Sequence, residues 1–325
     1  MRSALTSTTI LLVAVALSAC STGGGASPSA SSAAIATAPP SVAASASAVP
    51  SEAPSATPDA CAKDNLTTKA AGKLTVGTDN PAYPPYYASR TGGNTPPWDK
   101  DQGDPTTGEG FESAVAFAVA EKLGFAKTDI VWVVAPFNTV IAPGPKAFDF
   151  DINQVSYTPE RADANDLTDG YYTFNQTVVV RKDSSFAKVT SVAGLKAAKL
   201  GAQVGTTSLA AITNVIKPTT QASVYDSNDA AIQALEAKQI EGMVVDLPTA
   251  YFLTTIQTKD TLIAGQLGTA AGGAPEHFSL LLDKGSALTP CLNSAIAALQ
   301  QAGTLDQLRD KWLPDKTNPV PEMQP

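Results

Sequence analysis

The chain has 325 residues, of which 43% are hydrophobic, and a formal net charge of −8 at pH 7. This length allows one large domain or two ordinary ones, each with its own core. The acidic balance opposes binding to a phosphate backbone, so nucleic acid is not an expected partner. Three cysteines and one histidine are too few for a zinc cage or a cysteine–histidine catalytic pair, and we expect neither a metal nor a cofactor.

The first 20 residues have the pattern of a lipoprotein export signal. An early positive charge at Arg2 precedes an apolar run over residues 10–17, which is too short to span a bilayer. The run ends in Leu-Ser-Ala-Cys, which resembles the bacterial lipobox. We therefore expect a signal peptide over residues 1–19 and an acylated Cys20 that anchors the protein to the cell membrane on its extracytoplasmic side. An ordinary signal with an incidental cysteine is the alternative.

A low-complexity segment follows the predicted anchor. Residues 21–60 are almost entirely Ala, Ser, Pro, Gly and Thr, with few large apolar groups to bury. Together with Cys20, they are predicted to form a disordered tether over residues 20–60. A flexible chain of about 40 residues has an end-to-end distance of a few tens of Å.

From Lys73 onward, strand-like and helix-like segments alternate, which predicts an α/β fold. The predicted strands are residues 74–78, 130–134, 150–155, 200–204, 223–225 and 243–245. The predicted helices are residues 111–123, 208–216, 228–238, 249–255, 292–301 and a last one that ends at Trp312. Thr304 and Gln307 have the spacing of a capping box for this last helix.

Polar residues follow several of these strands. Asp79 follows the first strand, Ser156 the third and Asp246 the sixth. In open α/β sheets, ligands bind beyond the carboxyl ends of the strands. Thr206 and Thr207 lead from the fourth strand into a helix, where free backbone N–H groups and hydroxyls suit a carboxylate.

Taken in order, these residues resemble the bacterial extracellular solute-binding proteins of the polar amino-acid uptake type, family 3, which are the receptors of ABC importers. The elements that carry the resemblance are Gly77-Thr78-Asp79 with Tyr83 and Pro85, Gly110-Phe111-Glu112, Ser156-Tyr157-Thr158-Pro159-Glu160-Arg161, Gly205-Thr206-Thr207 and Asp246. Each element is weak alone, but they occur in the family's order over residues 74–313.

The resemblance implies a two-lobed periplasmic-binding-protein-like fold with a ligand cleft between the lobes. Two crossover strands, near residues 172–176 and 276–279, would join the lobes. Lobe 1 would hold residues 61–174 and 279–314, and lobe 2 would hold residues 175–278. Residues 315–325 would form a C-terminal tail.

The resemblance also implies a role for each site residue. Arg161 would clamp the α-carboxylate of an amino acid or similar small zwitterion, because a planar guanidinium pairs well with a carboxylate. Asp246 would hold the α-ammonium. The residues that complete the carboxylate site are Ser156, Thr206 and Thr207, and those that face the ligand's side chain are Asp79, Tyr83 and Phe137. Outside this context, a lone arginine is more often a solvated surface charge.

Two departures from the family pattern leave the side-chain preference open. Residues 88–109 form an insertion that contains Trp98 and could cover the cleft or decorate its rim. Gln154 stands where many relatives have a small hydroxyl residue.

Cys61 and Cys291 remain once the lipid cysteine is set aside, and an even pair in an exported protein suggests a disulfide. In the family, the start of the domain and the final helices share one lobe, so this bridge would join the chain ends. Free thiols are the alternative.

The expected function is ligand capture by hinge closure, as a monomer, followed by delivery to the permease subunits of an ABC importer. We do not expect an enzyme, because the chain offers no clear general acid or base beyond the residues assigned to ligand charges. The alternatives are a dehydratase-like or lytic-transglycosylase-like enzyme on the same fold, and the ligand-sensing subunit of a signalling system.

Overall fold

The computed structural model describes residues 60–99, 102–313 and 319–325. The predicted signal peptide, the predicted lipidation site at Cys20 and nearly all of the predicted tether lie outside these ranges. Within them, no helix is long and apolar enough to cross a membrane.

The described chain has mixed α/β structure. The strands are β1 (Leu74–Thr78), β2 (Ile130–Val134), β3 (Phe150–Asp151), β4 (Asp166–Leu167), β5 (Tyr172–Phe174), β6 (Gln176–Arg181), β7 (Leu200–Gln203), β8 (Ser223–Tyr225), β9 (Gly242–Asp246), β10 (Thr261–Gln266), β11 (Glu276–Phe278) and β12 (Leu281–Leu282). The α-helices are α1 (Phe111–Lys122), α2 (Phe137–Val140), α3 (Pro159–Ala164), α4 (Thr207–Ala211), α5 (Asn228–Glu236), α6 (Leu247–Phe252), α7 (Thr289–Gln301) and α8 (Thr304–Trp312).

Two five-stranded sheets organise the molecule. The first sheet has the order β2-β1-β3-β12-β4, and the second has the order β10-β6-β9-β7-β8. We call the regions built around them the first lobe and the second lobe. The two segments predicted as crossovers include β5 and β11, which pair with each other as a separate antiparallel ribbon. The chain therefore passes between the sheets twice along this ribbon.

The inner strands of each sheet are buried on both faces, as in β1 and β7, whereas the edge strands β2 and β8 are partly exposed. In β6, successive side chains point to opposite faces. Val178 and Val180 join one second-lobe core with Ile212, whereas Val179 joins the other with Leu235. In the first lobe, the larger core packs α1, α7 and α8 against one face of the sheet.

Most predicted elements are present, with shifted ends. The strands predicted at residues 74–78, 130–134 and 223–225 have the predicted bounds. The predicted helices at residues 208–216 and 249–255 begin as α4 and α6 and continue as π-helical turns at Ile212–Ile216 and Leu253–Gln257.

The capping box predicted for the last helix is wrong. Gly303 adopts a left-handed conformation (φ 68°) that ends α7 and directly precedes α8, and no side chain caps this helix start. Thr304 is already the first helical residue, so its hydroxyl is not at the N-cap position. Glycine takes the left-handed conformation without steric cost.

The disulfide between Cys61 and Cys291 is present, with a Cα–Cα distance of 5.3 Å. It joins residues 230 positions apart and attaches the start of the described chain to α7. Both cysteines belong to the core of the first lobe.

The described part of the 88–109 insertion packs on the loop after β1. Trp98 is 5% exposed. The side chain of Asn80 bonds the Pro97 carbonyl (2.8 Å) and accepts from the Asp99 backbone N–H (3.1 Å). Asp104 is fully buried and pairs with Arg90. None of the insertion's described residues lines the cleft between the sheets.

The end of the chain, predicted only as a tail, pairs with the second lobe. Gln266 of β10 donates its backbone N–H to the Pro321 carbonyl (3.0 Å) and accepts from Met323 N–H (2.8 Å). The Met323 side chain is buried over Gly265, where a Cβ would come within 2.6 Å of it. Residues 319–325 therefore cover part of the β10 edge of the second sheet.

Candidate functional site

A cleft between the sheets lies at the carboxyl ends of β1, β3, β7 and β9. All eight residues predicted to contact ligand line it: Asp79, Tyr83, Phe137, Ser156, Arg161, Thr206, Thr207 and Asp246. The other lining residues are Asn153, Gln154, Phe174, Gln176, Gln203, Ser208, Asn228, Val245 and Phe278. The sheet topology thus brings together positions that are up to 167 residues apart in sequence, from Asp79 to Asp246.

Arg161 enters the cleft from the first lobe, and one carbonyl from each lobe holds its guanidinium. It lies in α3, whose N-cap Thr158 accepts a hydrogen bond from the Arg161 backbone N–H (3.2 Å). Its Nη1 donates to the Ser156 carbonyl (2.6 Å) and its Nη2 to the Gly205 carbonyl (2.7 Å). Burial lowers the pKa of Arg161 to about 10, so the group stays cationic at pH 7. These bonds use two of its five N–H donors.

Asp246 supplies the negative charge on the second-lobe side. It ends β9 and caps α6, with Oδ1 accepting from Thr249 N–H (2.8 Å) and Oδ2 from the Thr249 hydroxyl (2.8 Å). The Tyr86 hydroxyl also donates to Oδ1. Desolvation raises the pKa of Asp246, and these hydrogen bonds oppose that rise.

Hydroxyl groups from both lobes meet beside Arg161. Thr206 caps α4 by accepting from Leu209 N–H (3.1 Å). The Thr207 hydroxyl lies 3.1 Å from the Ser156 hydroxyl and accepts from the Gln176 amide (3.0 Å). The Ser156 and Thr207 hydroxyls are thus joined across the cleft, while the Thr206 hydroxyl bonds within its own lobe to Gln203 and Leu209.

The three residues predicted to face a side chain lie together on the first-lobe side. Asp79 accepts hydrogen bonds from Asn80 N–H (2.8 Å) and Phe137 N–H (3.4 Å), and burial raises its pKa. The Phe137 ring lies 5.6 Å from the Arg161 guanidinium carbon. Burial, and then the nearby carboxylate of Asp229 in the second lobe, raise the pKa of Tyr83.

Sequence reasoning missed the side-chain amides that line the cleft. They come from Asn153, Gln154, Gln176, Gln203 and Asn228. Only Gln154 stood out, as a departure from the family pattern. Their positions in the sequence could have identified them, since several of these amides lie at or just after strand ends.

Glu112 holds Gln154 in place from below the cleft. Gln154 has a left-handed backbone (φ 48°), which is uncommon for residues other than glycine. Glu112 accepts from its backbone N–H (2.8 Å), from its side-chain amide and from the Tyr171 hydroxyl. Complete burial raises the pKa of Glu112 to about 7 despite these bonds. The acid of the Gly-Phe-Glu segment thus supports the cleft without lining it.

Comparison with known proteins identifies the family. The model of the bacterial extracellular solute-binding proteins, family 3, matches residues 74–315. The chain is 26% identical over 221 residues to the arginine-binding extracellular protein ArtP of Bacillus subtilis (strain 168), covering 66% of this chain and 81% of that protein. It is 27% identical over 246 residues to the L-cystine-binding protein TcyJ of Escherichia coli (strain K12), covering 75% and 84%.

Solved structures show the same fold. The ancestral amino acid-binding protein AncCDT-1, described as a precursor of cyclohexadienyl dehydratase, aligns with a TM-score of 0.59 and 25% identity, covering 74% of this chain and 95% of that one. ArtJ, the arginine-, lysine-, histidine-binding protein from Geobacillus stearothermophilus, aligns with a TM-score of 0.59 and 19% identity, covering 74% and 94%. Because the family model matches well over half of its length, the chain belongs to the bacterial extracellular solute-binding proteins, family 3.

Proposed function

We propose that this protein captures a free amino acid in the cleft and delivers it to an ABC importer. One observation carries the proposal: a cation, Arg161, and an anion, Asp246, line the same cleft from different lobes. A buried charge is costly unless it is paired, and a zwitterion supplies one opposite charge for each of these groups. Relatives named for binding arginine and cystine support the amino-acid class.

In the proposed complex, the α-carboxylate lies on the remaining N–H donors of Arg161 and on the hydroxyls beside it. Those hydroxyls come from Ser156 and Thr207, whereas Thr206, whose hydroxyl donates to the Gln203 carbonyl (2.7 Å), shapes the start of α4 beside them. The α-ammonium lies on Asp246. The side chain extends toward Asp79, Tyr83 and Phe137, where a carboxylate between aromatic rings suits a cationic or amide group.

Capture proceeds by hinge closure about the ribbon of β5 and β11. We divide the lobes at residues 174–175 and 278–279. Arg161 donates to the Gly205 carbonyl across the cleft, and Ser156 contacts Thr207 across it. Such contacts form only when the lobes approach, so a ligand that bridges them favours the closed state. The permease subunits then recognise the closed form.

The protein is proposed to work as a monomer outside the cytoplasmic membrane. An acyl group on Cys20 anchors it, and residues 20–60 give the folded part reach from the membrane. Metabolic labelling with a fatty-acid analogue tests the anchor, since a Cys20→Ser variant should lose the label.

A melting-shift screen of the twenty amino acids on the purified protein tests the central proposal. We expect at least one amino acid to raise the melting temperature and to bind in calorimetry. No shift with any amino acid, together with turnover of a candidate substrate, would replace the receptor with an enzyme on the same fold.

A further inference from the structure

Two neighbouring tyrosines in the loop after β1 have nearly the same surroundings but different hydrogen-bond partners. Tyr86 and Tyr87 are each 1% exposed and belong to the core of the first lobe. The Tyr87 hydroxyl donates to the Ile152 carbonyl (2.5 Å) and accepts from the Thr78 hydroxyl (3.0 Å). Both of these partners belong to the first lobe.

Tyr86 instead reaches the second lobe. Its hydroxyl donates to Oδ1 of Asp246 and lies 3.4 Å from the Thr249 hydroxyl. Its ring belongs to the core of the first lobe and packs edge-on against Phe278, at the end of the connecting strand β11, at 6.2 Å. A buried first-lobe side chain therefore contacts Asp246, the residue proposed to hold the ammonium.

The contact with Tyr86 limits how many hydrogen bonds Asp246 can still accept. A carboxylate has about four acceptor positions. Thr249 fills two, and Tyr86 fills one. About one position then remains for a ligand, and the three protein donors determine where it points.

The Tyr86 hydroxyl has a charged acceptor, Asp246. Hydrogen bonds to charged acceptors are stronger than those between neutral groups. Tyr83 of the same loop lies near another second-lobe carboxylate, Asp229 of α5, and burial together with this charge raises the Tyr83 pKa.

We propose that Tyr86 is a positioning residue for ligand capture: its hydroxyl orients the Asp246 carboxylate and stabilises the closed arrangement through a contact made by the protein alone. Ligand affinity depends on the fraction of molecules in the binding-competent state. Loss of the contact should therefore weaken binding even though Tyr86 itself need not touch the ligand. The effect on affinity rests on the proposed function, whereas the effect on closure does not.

The test compares Tyr86→Phe with Tyr87→Phe. Each variant removes one buried hydroxyl and keeps the ring, but only the first removes a contact between the lobes. Fluorophores on Glu121→Cys and Asn214→Cys, which are exposed positions in the first and second lobes, report the distance between them. A Cys20→Ser background leaves the Cys61–Cys291 disulfide intact.

Without added amino acid, we expect Tyr86→Phe to shift the distance distribution toward more open molecules, and Tyr87→Phe to leave it unchanged. For the amino acid with the largest melting shift, Tyr86→Phe should raise the Kd about tenfold or more, and Tyr87→Phe by less than about twofold. An unchanged distribution and Kd in Tyr86→Phe would overturn the inference. If no amino acid binds, the proposed function fails. The distance measurement alone then decides whether Tyr86 stabilises the closed arrangement.

A double-variant cycle with Asp246→Ala, which removes the acceptor of the Tyr86 hydroxyl, distinguishes this contact from general destabilisation. If the Tyr86 hydroxyl acts through Asp246, the two substitutions should not add in the open fraction. Additive shifts would show that Tyr86 acts elsewhere, and would also overturn the inference.

Discussion

The two lobes hold their chain ends in different ways. The first lobe is assembled from two distant stretches of chain, and a covalent bond between Cys61 and Cys291 joins them. The second sheet comes from one continuous stretch, but β10 leaves it with an open edge. Residues 319–325 pair with part of that edge through hydrogen bonds and the buried Met323. A cross-link thus joins the two separate stretches of the first lobe. In the second lobe, a chain segment covers the unpaired edge of the sheet.

The lobes also differ in the charge they bring to the cleft. The first lobe presents a guanidinium fixed by two carbonyls, and the second presents a carboxylate fixed by helix capping. Each charge is also held by a contact from the other lobe: Arg161 donates to the Gly205 carbonyl, and Asp246 accepts from the Tyr86 hydroxyl.

Removal of the cross-link should have the largest effect. In a Cys61→Ser/Cys291→Ser variant, we expect the free energy of unfolding to fall by about 4 to 5 kcal/mol, because the unfolded chain regains the entropy of a very long loop. Urea unfolding measures this loss. Reduction of the unmodified protein should reproduce it, and equal stability of both forms would show that the bridge does not constrain the first lobe.

A buried acid gives the first lobe a pH dependence that substitution should remove. The pKa of Glu112 is about 7 in the folded protein against 4.5 in an ordinary setting. The folded state therefore keeps the proton over this range while the unfolded chain loses it. Stability should fall by up to about 3 kcal/mol as pH rises from about 4.5 to 7.

Glu112→Gln cannot titrate, so the difference in unfolding free energy between the unmodified protein and this variant should decrease with pH across that window. Urea unfolding at several pH values measures the slope. A difference that is constant with pH would mean that Glu112 titrates normally.

Arg161→Ala should remove the first lobe's charge from the cleft. We expect about 100-fold weaker amino-acid binding or more, because truncation leaves the ligand carboxylate unpaired in a desolvated site. Isothermal calorimetry measures the loss. Arg181→Ala is the matched control, since Arg181 pairs with Asp183 away from the cleft. Retained affinity in Arg161→Ala would refute the clamp.

Truncation before residue 319 should have the smallest effect of the four changes predicted here. Loss of the buried Met323 side chain should lower the free energy of unfolding of the second lobe by about 2 kcal/mol. Hydrogen exchange should quicken at Gln266 and Val192, whose N–H groups donate to the tail, and should stay unchanged in β1 of the first lobe. Equal acceleration in both lobes would show that the tail acts on the whole molecule.

Much of the fold was predictable from local pattern. The bounds predicted for β1, β2 and β8 agree with the structure, although only β1 is buried along its whole length. The capping box predicted at Thr304 is wrong. The same residue spacing occurs when a left-handed glycine links two helices directly, so spacing alone does not distinguish the two arrangements. The roles assigned to Arg161 and Asp246 came from resemblance and remain predictions.

The sequence by itself determined the alternation of strands and helices, the order of the polar residues at strand ends and the pair of cysteines, because these are local or depend on composition. Only the tertiary structure decided that Tyr86 meets Asp246 while Tyr87 does not, and that the last residues pair with β10. Both contacts depend on how distant segments approach in space, and adjacent tyrosines in a sequence carry no mark of the partner that each will meet.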